Sequence, residues 1–123
     1  MDPIAYMIEA RRLLMEALGT EILETEMDTS IYQLKIKFNQ GSILFIRYNK
    51  YNEYAYQVIF SKKKNDFIRY DNFDDKWKGS TKPHHIHSRF DNPIVESPMI
   101  GVPKHDMPIL INFLKKAMFK KLV

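Results

Sequence analysis

The stretch Ile31-Tyr32-Gln33-Leu34-Lys35-Ile36-Lys37-Phe38 alternates apolar and polar residues along its length. Successive side chains of a β-strand point to opposite faces, so one alternate set is predicted to face a core and the other to face solvent. The inward set is Tyr32, Leu34, Ile36 and Phe38. This period of two indicates a sheet with one buried face and one open face.

Short turn-forming segments connect this strand to further stretches of strand-like composition. Strands are predicted at residues 43–48, 54–61 and 67–72, and residues 22–27, with their alternating glutamates, are a candidate edge strand. Connections this short join neighbouring strands in opposite directions. We therefore expect an antiparallel meander sheet of four or five strands.

A helix is predicted on each side of the meander. Asp2 is suited to cap the first helix, residues 3–18, because Pro3 fits its first turn and apolar residues recur at helical spacing until Gly19. Towards the other end, apolar residues from Met107 to Met118 form one stripe, and lysines crowd the last turns. A sheet with one apolar face must bury that face, so both helices are expected to pack on it in a two-layer α+β fold.

Length and composition limit the class of protein. A chain of 123 residues suits one domain, and a net charge of +4 attracts acidic or phosphate-bearing partners. The sequence lacks cysteine, a signal-peptide pattern and any apolar run of the ~18 residues that would span a bilayer. We expect a soluble, cytoplasmic protein that makes no membrane contact.

Prolines and glycines are so frequent in residues 73–103 that no long regular element is predicted there. A loop of about 30 residues is unusual in a compact domain and is more often functional. It carries Pro83-His84-His85-Ile86-His87, which holds three of the chain's four histidines. In an extended segment His85 and His87 point to one side and His84 to the other, so His85 and His87 can converge on one substrate.

The histidine cluster is suited to acid–base chemistry, because an unperturbed imidazole has a pKa of about 6.5. In metal-free cleavage of RNA, one histidine removes the proton of a ribose 2′-hydroxyl and another protonates the leaving oxygen. His85 and His87 are the predicted pair, and His84 supports them. Arg69 is the predicted phosphate clamp, and Asp71 is the group predicted to orient a histidine.

Other residues are candidates for binding the substrate. Arg69-Tyr70-Asp71-Asn72 returns as Arg89-Phe90-Asp91-Asn92 beyond the histidines, which makes Arg89 a second candidate clamp and Asn72 a nearby amide. Tyr54 and Tyr56 belong to a set of tyrosines interleaved with lysines, as on surfaces that stack single-stranded bases. Tyrosine is also a good strand former, and the two share one strand face, so a place in the core is the alternative interpretation.

Two other interpretations of the histidines stay open. A His-x-His pair completed by a further carboxylate or imidazole is a ligand set for zinc or another divalent ion. The candidates for completing it are Asp71, Asp91, Glu96 and His105. Alternatively, the histidines are exposed loop residues or hydrogen-bonded packing residues. The cleavage scheme itself requires no metal and no cofactor.

The order of several motifs resembles the TumE-like toxins of bacterial and archaeal type II toxin–antitoxin modules. These motifs are Tyr54-Ala55-Tyr56-Gln57, Arg69-Tyr70-Asp71-Asn72, Pro83-His84-His85-Ile86-His87 and the C-terminal helix. The resemblance covers roughly residues 30–120, and its most specific part is the histidine motif. Members of the family usually carry another Pro-His-His after Asp-Asn, where this chain has Phe73-Asp74-Asp75-Lys76.

The resemblance implies a small toxin that a cognate antitoxin neutralises, often a helix-turn-helix DNA-binding protein, with RNA or the translation apparatus as its target. We therefore predict a toxin that acts as a metal-independent endoribonuclease. The alternative is a non-catalytic nucleic-acid- or protein-binding module with a structural or metal-binding histidine cluster. The oligomeric state stays open and includes a homodimer.

Overall fold

The computed structural model describes residues 2–72, 84–87 and 95–118, and for His85, His87, Val95 and Glu96 it describes the main chain. Along the chain, α1 is Pro3–Leu18, β1 Ile22–Asp28, β2 Gln33–Phe38, β3 Ile43–Tyr48, β4 Tyr54–Ile59, β5 Phe67–Asp71, β6 His85–His87, β7 Val95–Glu96 and α2 Pro103–Ala117. A single 3-10 turn, Gly19–Glu21, connects α1 to β1.

Helix α1 begins and ends as the sequence predicts. The Asp2 carboxylate accepts a hydrogen bond from the Ile4 amide at 3.0 Å, and Gly19 follows the last helical residue. The buried stripe is Met7, Ala10, Leu14 and Leu18. The apolar residues Ile8 and Met15, which fit the helical spacing, are nevertheless 48% and 45% exposed, because the helix turns Ala10 and Leu14 towards the core instead.

The sheet is an antiparallel meander in which every strand pairs with its neighbours in the sequence, in the order β1-β2-β3-β4-β5-β6-β7. Strands β1 to β5 confirm the predicted meander, including the candidate edge strand. The structure adds β6 and β7, which are three and two residues long and lie within the segment predicted to be a loop. Strand β6 forms because it pairs with the outer edge of β5.

The two faces of the sheet differ as the alternating pattern predicts. One face packs against both helices and contains most of the buried residues of β2 to β5, among them Leu34, Ile36 and Phe38. Tyr32 precedes β2 and is partly buried against the same core. We call this the covered face. The other carries Gln33, Lys35 and other polar residues, and we call it the open face.

Gly101 permits close packing between the segment before α2 and the covered face. Its φ is +87°, a conformation that favours glycine, and a Cβ atom there would lie 2.7 Å from Cδ1 of Tyr54. The start of α2 is thereby held against β4. Within residues 2–72, 84–87 and 95–118, no helix is long and apolar enough to cross a membrane.

Candidate functional site

Arg69 and Asp71 lie two residues apart on β5, so both belong to the open face. Nε of Arg69 is 2.5 Å from Oδ2 of Asp71. The Asp71 side chain is 4% exposed, whereas that of Arg69 is 37% exposed. The two side chains therefore form an ion pair on one face of the strand, and this pair holds a guanidinium that solvent can reach.

The register of β5 and β6 places the histidine segment beside this ion pair. The Cα atom of His85 pairs with that of Asp71, and the Cα atom of His87 pairs with that of Arg69. Paired Cα atoms in an antiparallel ladder are about 4.5–5.5 Å apart. The main chain thus brings together four of the five residues predicted to be catalytic.

Alternation along β6 separates the remaining histidine from this group. Ile86 pairs with Tyr70 and packs against the hydrophobic core, so positions 85 and 87 belong to the open face. His84 is on the covered side: its Nδ1 is 3.0 Å from the hydroxyl of Tyr54, and the two rings stack with centroids 5.7 Å apart. His84 therefore contacts the core in this structure, on the other side of the sheet from the Arg69–Asp71 pair.

Tyr54 and Tyr56 are both fully buried on the covered face. The Tyr56 hydroxyl lies 3.0 Å from the Tyr48 hydroxyl and donates to Oδ2 of Asp106 at 2.7 Å. Burial raises the pKa of Tyr54, Tyr56 and Tyr48. These rings correspond to the core interpretation, and a base could stack on them only if the core opened.

Asp106 is a fully buried acid that the sequence analysis did not single out. Its carboxylate accepts hydrogen bonds from the amides of Ile100 and Gly101 at 2.9 and 2.7 Å, besides the bond from Tyr56. Nδ1 of His105 lies 2.8 Å from its Oδ1. The signal in the sequence is an acid in the first turn of a helix that begins at Pro103, directly after Gly101-Val102, because a side chain there can accept hydrogen bonds from the preceding amides.

Asn72 uses its amide to connect two parts of the sheet. Its Oδ1 accepts from the Tyr54 main-chain amide at 2.9 Å, and its Nδ2 donates to the Asn52 carbonyl at 3.0 Å. The predicted substrate-binding amide thus already has structural partners at both of its ends. Arg89, the second candidate clamp, lies outside the described residues, as does Asp91.

The proposed metal site receives no ligand set from the described side chains. Among the described side chains, which do not include those of His85, His87 and Glu96, no three histidine, aspartate or glutamate side chains are grouped to hold an ion. Of the candidate ligands, Asp71 pairs with Arg69 and His105 contacts Asp106.

A shallow depression of about 270 Å³ lies on the open face next to Arg69. Its lining consists of Gln33, Phe45, Arg47, Ala55, Gln57 and Arg69. The side chains come from β2 to β5, so the depression crosses the middle of the sheet. Phe45, Arg47 and Gln57 could not be assigned to a site from the sequence, since alternation alone does not show which outward residues surround a hollow.

These features define an α+β protein with two helices on one face of a meander sheet and a cluster of polar residues on the other. The family model described as Toxin TumE matches residues 4–116, and the chain belongs to this family of toxins. The match confirms the family resemblance that the order of the motifs indicated, and the family suggests an antitoxin partner. Neither the comparison with curated proteins nor the comparison with solved structures gives a match.

Proposed function

We propose that this toxin is a metal-independent endoribonuclease whose active site lies on the open face, where β5 and β6 pair. The observation that carries the proposal is the register that sets His85 opposite Asp71 and His87 opposite Arg69. A general base, a general acid and a phosphate-binding cation are the groups that this reaction needs. We also propose that the toxin is cytoplasmic, the compartment in which it would meet RNA.

The reaction begins when one histidine of the pair removes the proton from a ribose 2′-hydroxyl. The 2′-oxygen then attacks the adjacent phosphorus, the bond from phosphorus to the 5′-oxygen breaks, and the second histidine protonates that leaving oxygen. The products are a 2′,3′-cyclic phosphate and a free 5′-hydroxyl. His85 and His87 supply the general base and the general acid of this step. His84 supports β6 through its contact with Tyr54.

Arg69 stabilises the charge that develops on the phosphate oxygens, because a planar guanidinium can contact two oxygens at once. Asp71 is nearly buried and contacts Nε of Arg69, so it fixes the direction of the guanidinium. Its place opposite His85 also supports the orienting role predicted from the sequence. Arg89 and Asn72 remain candidates for holding the flanking nucleotides.

Purified protein is expected to cut single-stranded RNA in excess EDTA and to leave 2′,3′-cyclic phosphate ends. The His85→Ala, His87→Ala double variant should lose this cutting, whereas a His105→Gln variant should retain it, since His105 lies on α2. Cutting that disappears with EDTA and returns with a divalent ion would refute the metal-independent reaction.

The second candidate is a non-catalytic module that binds nucleic acid or protein. The Arg69–Asp71 ion pair favours it, because such a pair on a sheet also serves a purely structural role. This candidate predicts no cutting, together with a gel shift that weakens steeply with salt if the ligand is nucleic acid. Stoichiometric zinc, nickel or iron that is lost in the double histidine variant would instead indicate a metal site.

As for the biological context, we propose that a cognate antitoxin, possessing a helix-turn-helix DNA-binding domain, neutralises the toxin. Expression of the toxin should arrest growth, and co-expression of the product of the neighbouring reading frame should restore it. Growth arrest that no neighbouring product relieves would contradict this partner. Size measurement of the purified toxin decides between monomer and homodimer.

A further inference from the structure

The depression on the open face exists because a small residue stands between larger ones. Ala55 pairs with Arg47 on β3 and with Asp71 on β5, so these three residues form one row across the sheet. A methyl group leaves the space above it empty, and the neighbouring Gln57 and Arg69 stand at its border. The hollow is thus specified by the sequence of β3 to β5.

The side chains around this hollow match the chemistry of a nucleotide. Phe45 is a half-buried ring on the open face, and Nζ of Lys35 lies 5.7 Å from its centroid. Surfaces that bind single strands combine such rings, on which bases stack, with cations that contact the phosphates. Tyr54 and Tyr56, which were predicted to stack bases, are buried, whereas Phe45 lines the hollow and is in a position to stack on a base.

Arg47 stands on the side of the hollow opposite Arg69 and is exposed. Its Nη2 donates to the Ile31 carbonyl at 3.1 Å, which holds the side chain over the sheet. A guanidinium has five N–H donors, so this bond leaves capacity for a phosphate. Gln33 and Gln57 add amides that can both donate to and accept from a base edge.

A second depression of about 520 Å³ shares Gln33 and Phe45 with the first and extends towards β1. Its far side carries Glu26 and Asp28, which repel phosphate. Arg47 and Arg69 line the first depression, whereas the second has Lys35 near the shared residues and its carboxylates at the β1 end. A nucleic-acid backbone is therefore favoured on the Arg47 and Arg69 side.

We propose that the depression over Ala55 is a subsite for one nucleotide of single-stranded RNA, next to the nucleotide that is cut. Phe45 stacks on the base, Arg47 holds a phosphate, and Gln57 contacts the base edge. The inference deepens the proposed function and rests on it for the position of the cut. The binding itself is testable without any cleavage.

The test is the affinity of the whole protein for a fluorescent 2′-O-methyl oligoribonucleotide of about 12 nucleotides, a length within the range of single-strand sites. This probe lacks the 2′-hydroxyl nucleophile and cannot be cut by the proposed reaction. Phe45→Leu keeps an apolar side chain but removes the ring, and it should raise Kd by about 5- to 150-fold. Phe67→Leu is the matched control, because Phe67 shares the open face but does not line the hollow.

Arg47→Gln should also weaken binding, and it should reduce the slope of log Kd against log salt by about 0.7, the value for one phosphate contact on a single strand. Arg12→Gln is its matched control, since Arg12 is an exposed arginine on α1, in the other layer. Thermal unfolding of each variant verifies that the fold is retained.

The outcomes separate the two proposals. Binding that depends on Phe45 and Arg47 supports the subsite, whether or not the wild-type protein cuts RNA. If it binds the probe in this way but cuts no RNA, the endoribonuclease is refuted and the subsite is retained. RNA cutting combined with unchanged probe affinity in both variants overturns the subsite alone. If the wild-type protein does not bind the probe, the subsite is overturned. The subsite is also overturned if the variants lose affinity for the antitoxin but not for the probe.

Discussion

The covered and open faces of the sheet satisfy their polar groups in different ways. On the covered face, Asp106 accepts hydrogen bonds from Tyr56, Ile100 and Gly101 and has no exposed surface. On the open face, Asp71 is nearly as well shielded, but its partner Arg69 extends to solvent. A buried acid surrounded by donors stabilises the fold, whereas a buried acid that positions an accessible cation can serve a ligand.

The largest expected effect is on stability, from Asp106→Ala. This change leaves the Tyr56 hydroxyl and the amides of Ile100 and Gly101 without their acceptor, at a cost of roughly 1–3 kcal/mol for each unsatisfied group. The free energy of unfolding, measured with denaturant, should fall by at least about 3 kcal/mol. Glu16→Ala is the control, because Glu16 is exposed on α1, and an equal loss there would contradict the importance of the covered network.

The next effect is on activity, from Arg69→Lys. Lysine keeps a positive charge near Asp71 but lacks the planar pair of donors, so the transition state loses directed hydrogen bonds. The rate of RNA cutting should fall on the order of 100-fold, with little change in the unfolding temperature. A rate equal to that of the wild type would remove Arg69 from the proposed site.

A smaller effect on stability distinguishes two glycines. Gly101→Ala places a Cβ atom 2.7 Å from the Tyr54 ring at a φ of +87° and should cost about 1–3 kcal/mol. Gly19→Ala meets no atom within 4 Å at a φ of −53° and should stabilise the protein by about 0.4–1 kcal/mol. Denaturant unfolding of both variants measures the contrast, and similar losses in the two would contradict the packing of Gly101 on β4.

Alkaline pH should weaken the covered face through its tyrosines. Burial raises the pKa of Tyr70 to about 12, and a tyrosine in the unfolded chain ionises at about 10. The stabilising contribution of this shift is complete below pH ~10 and is lost as the pH rises towards 12, because the unfolded state releases its proton first. Unfolding measured across this range should show the fall, and Tyr70→Phe should make it shallower; an unchanged slope in that variant would contradict the shift.

The sequence predicts the helices and the five long strands because each has a sustained period. Alternation in β2 separates Leu34, Ile36 and Phe38 from the polar residues of the open face, and Pro3 and Gly19 delimit α1. Strand β6 could not be predicted in this way, since three residues carry too little periodicity and depend on pairing with β5.

The candidate site was predictable in its composition but only partly in its arrangement. Extended geometry correctly separates His84 from the positions of His85 and His87, because that separation follows from a period of two. The contact between His84 and Tyr54 and the hydrogen bond between Tyr56 and Asp106 join side chains that are 30 and 50 residues apart in the sequence, and no local pattern shows them. The hollow over Ala55 likewise requires the register of three strands.

The most direct test of the division between the two faces measures stability and RNA cutting in the same sample of the His85→Ala, His87→Ala variant. Both positions lie on the open face, so the protein should keep its cooperative unfolding, while the rate of cutting in EDTA falls by at least about 100-fold. A folded double variant that cuts RNA at the rate of the wild type would contradict the proposed active site.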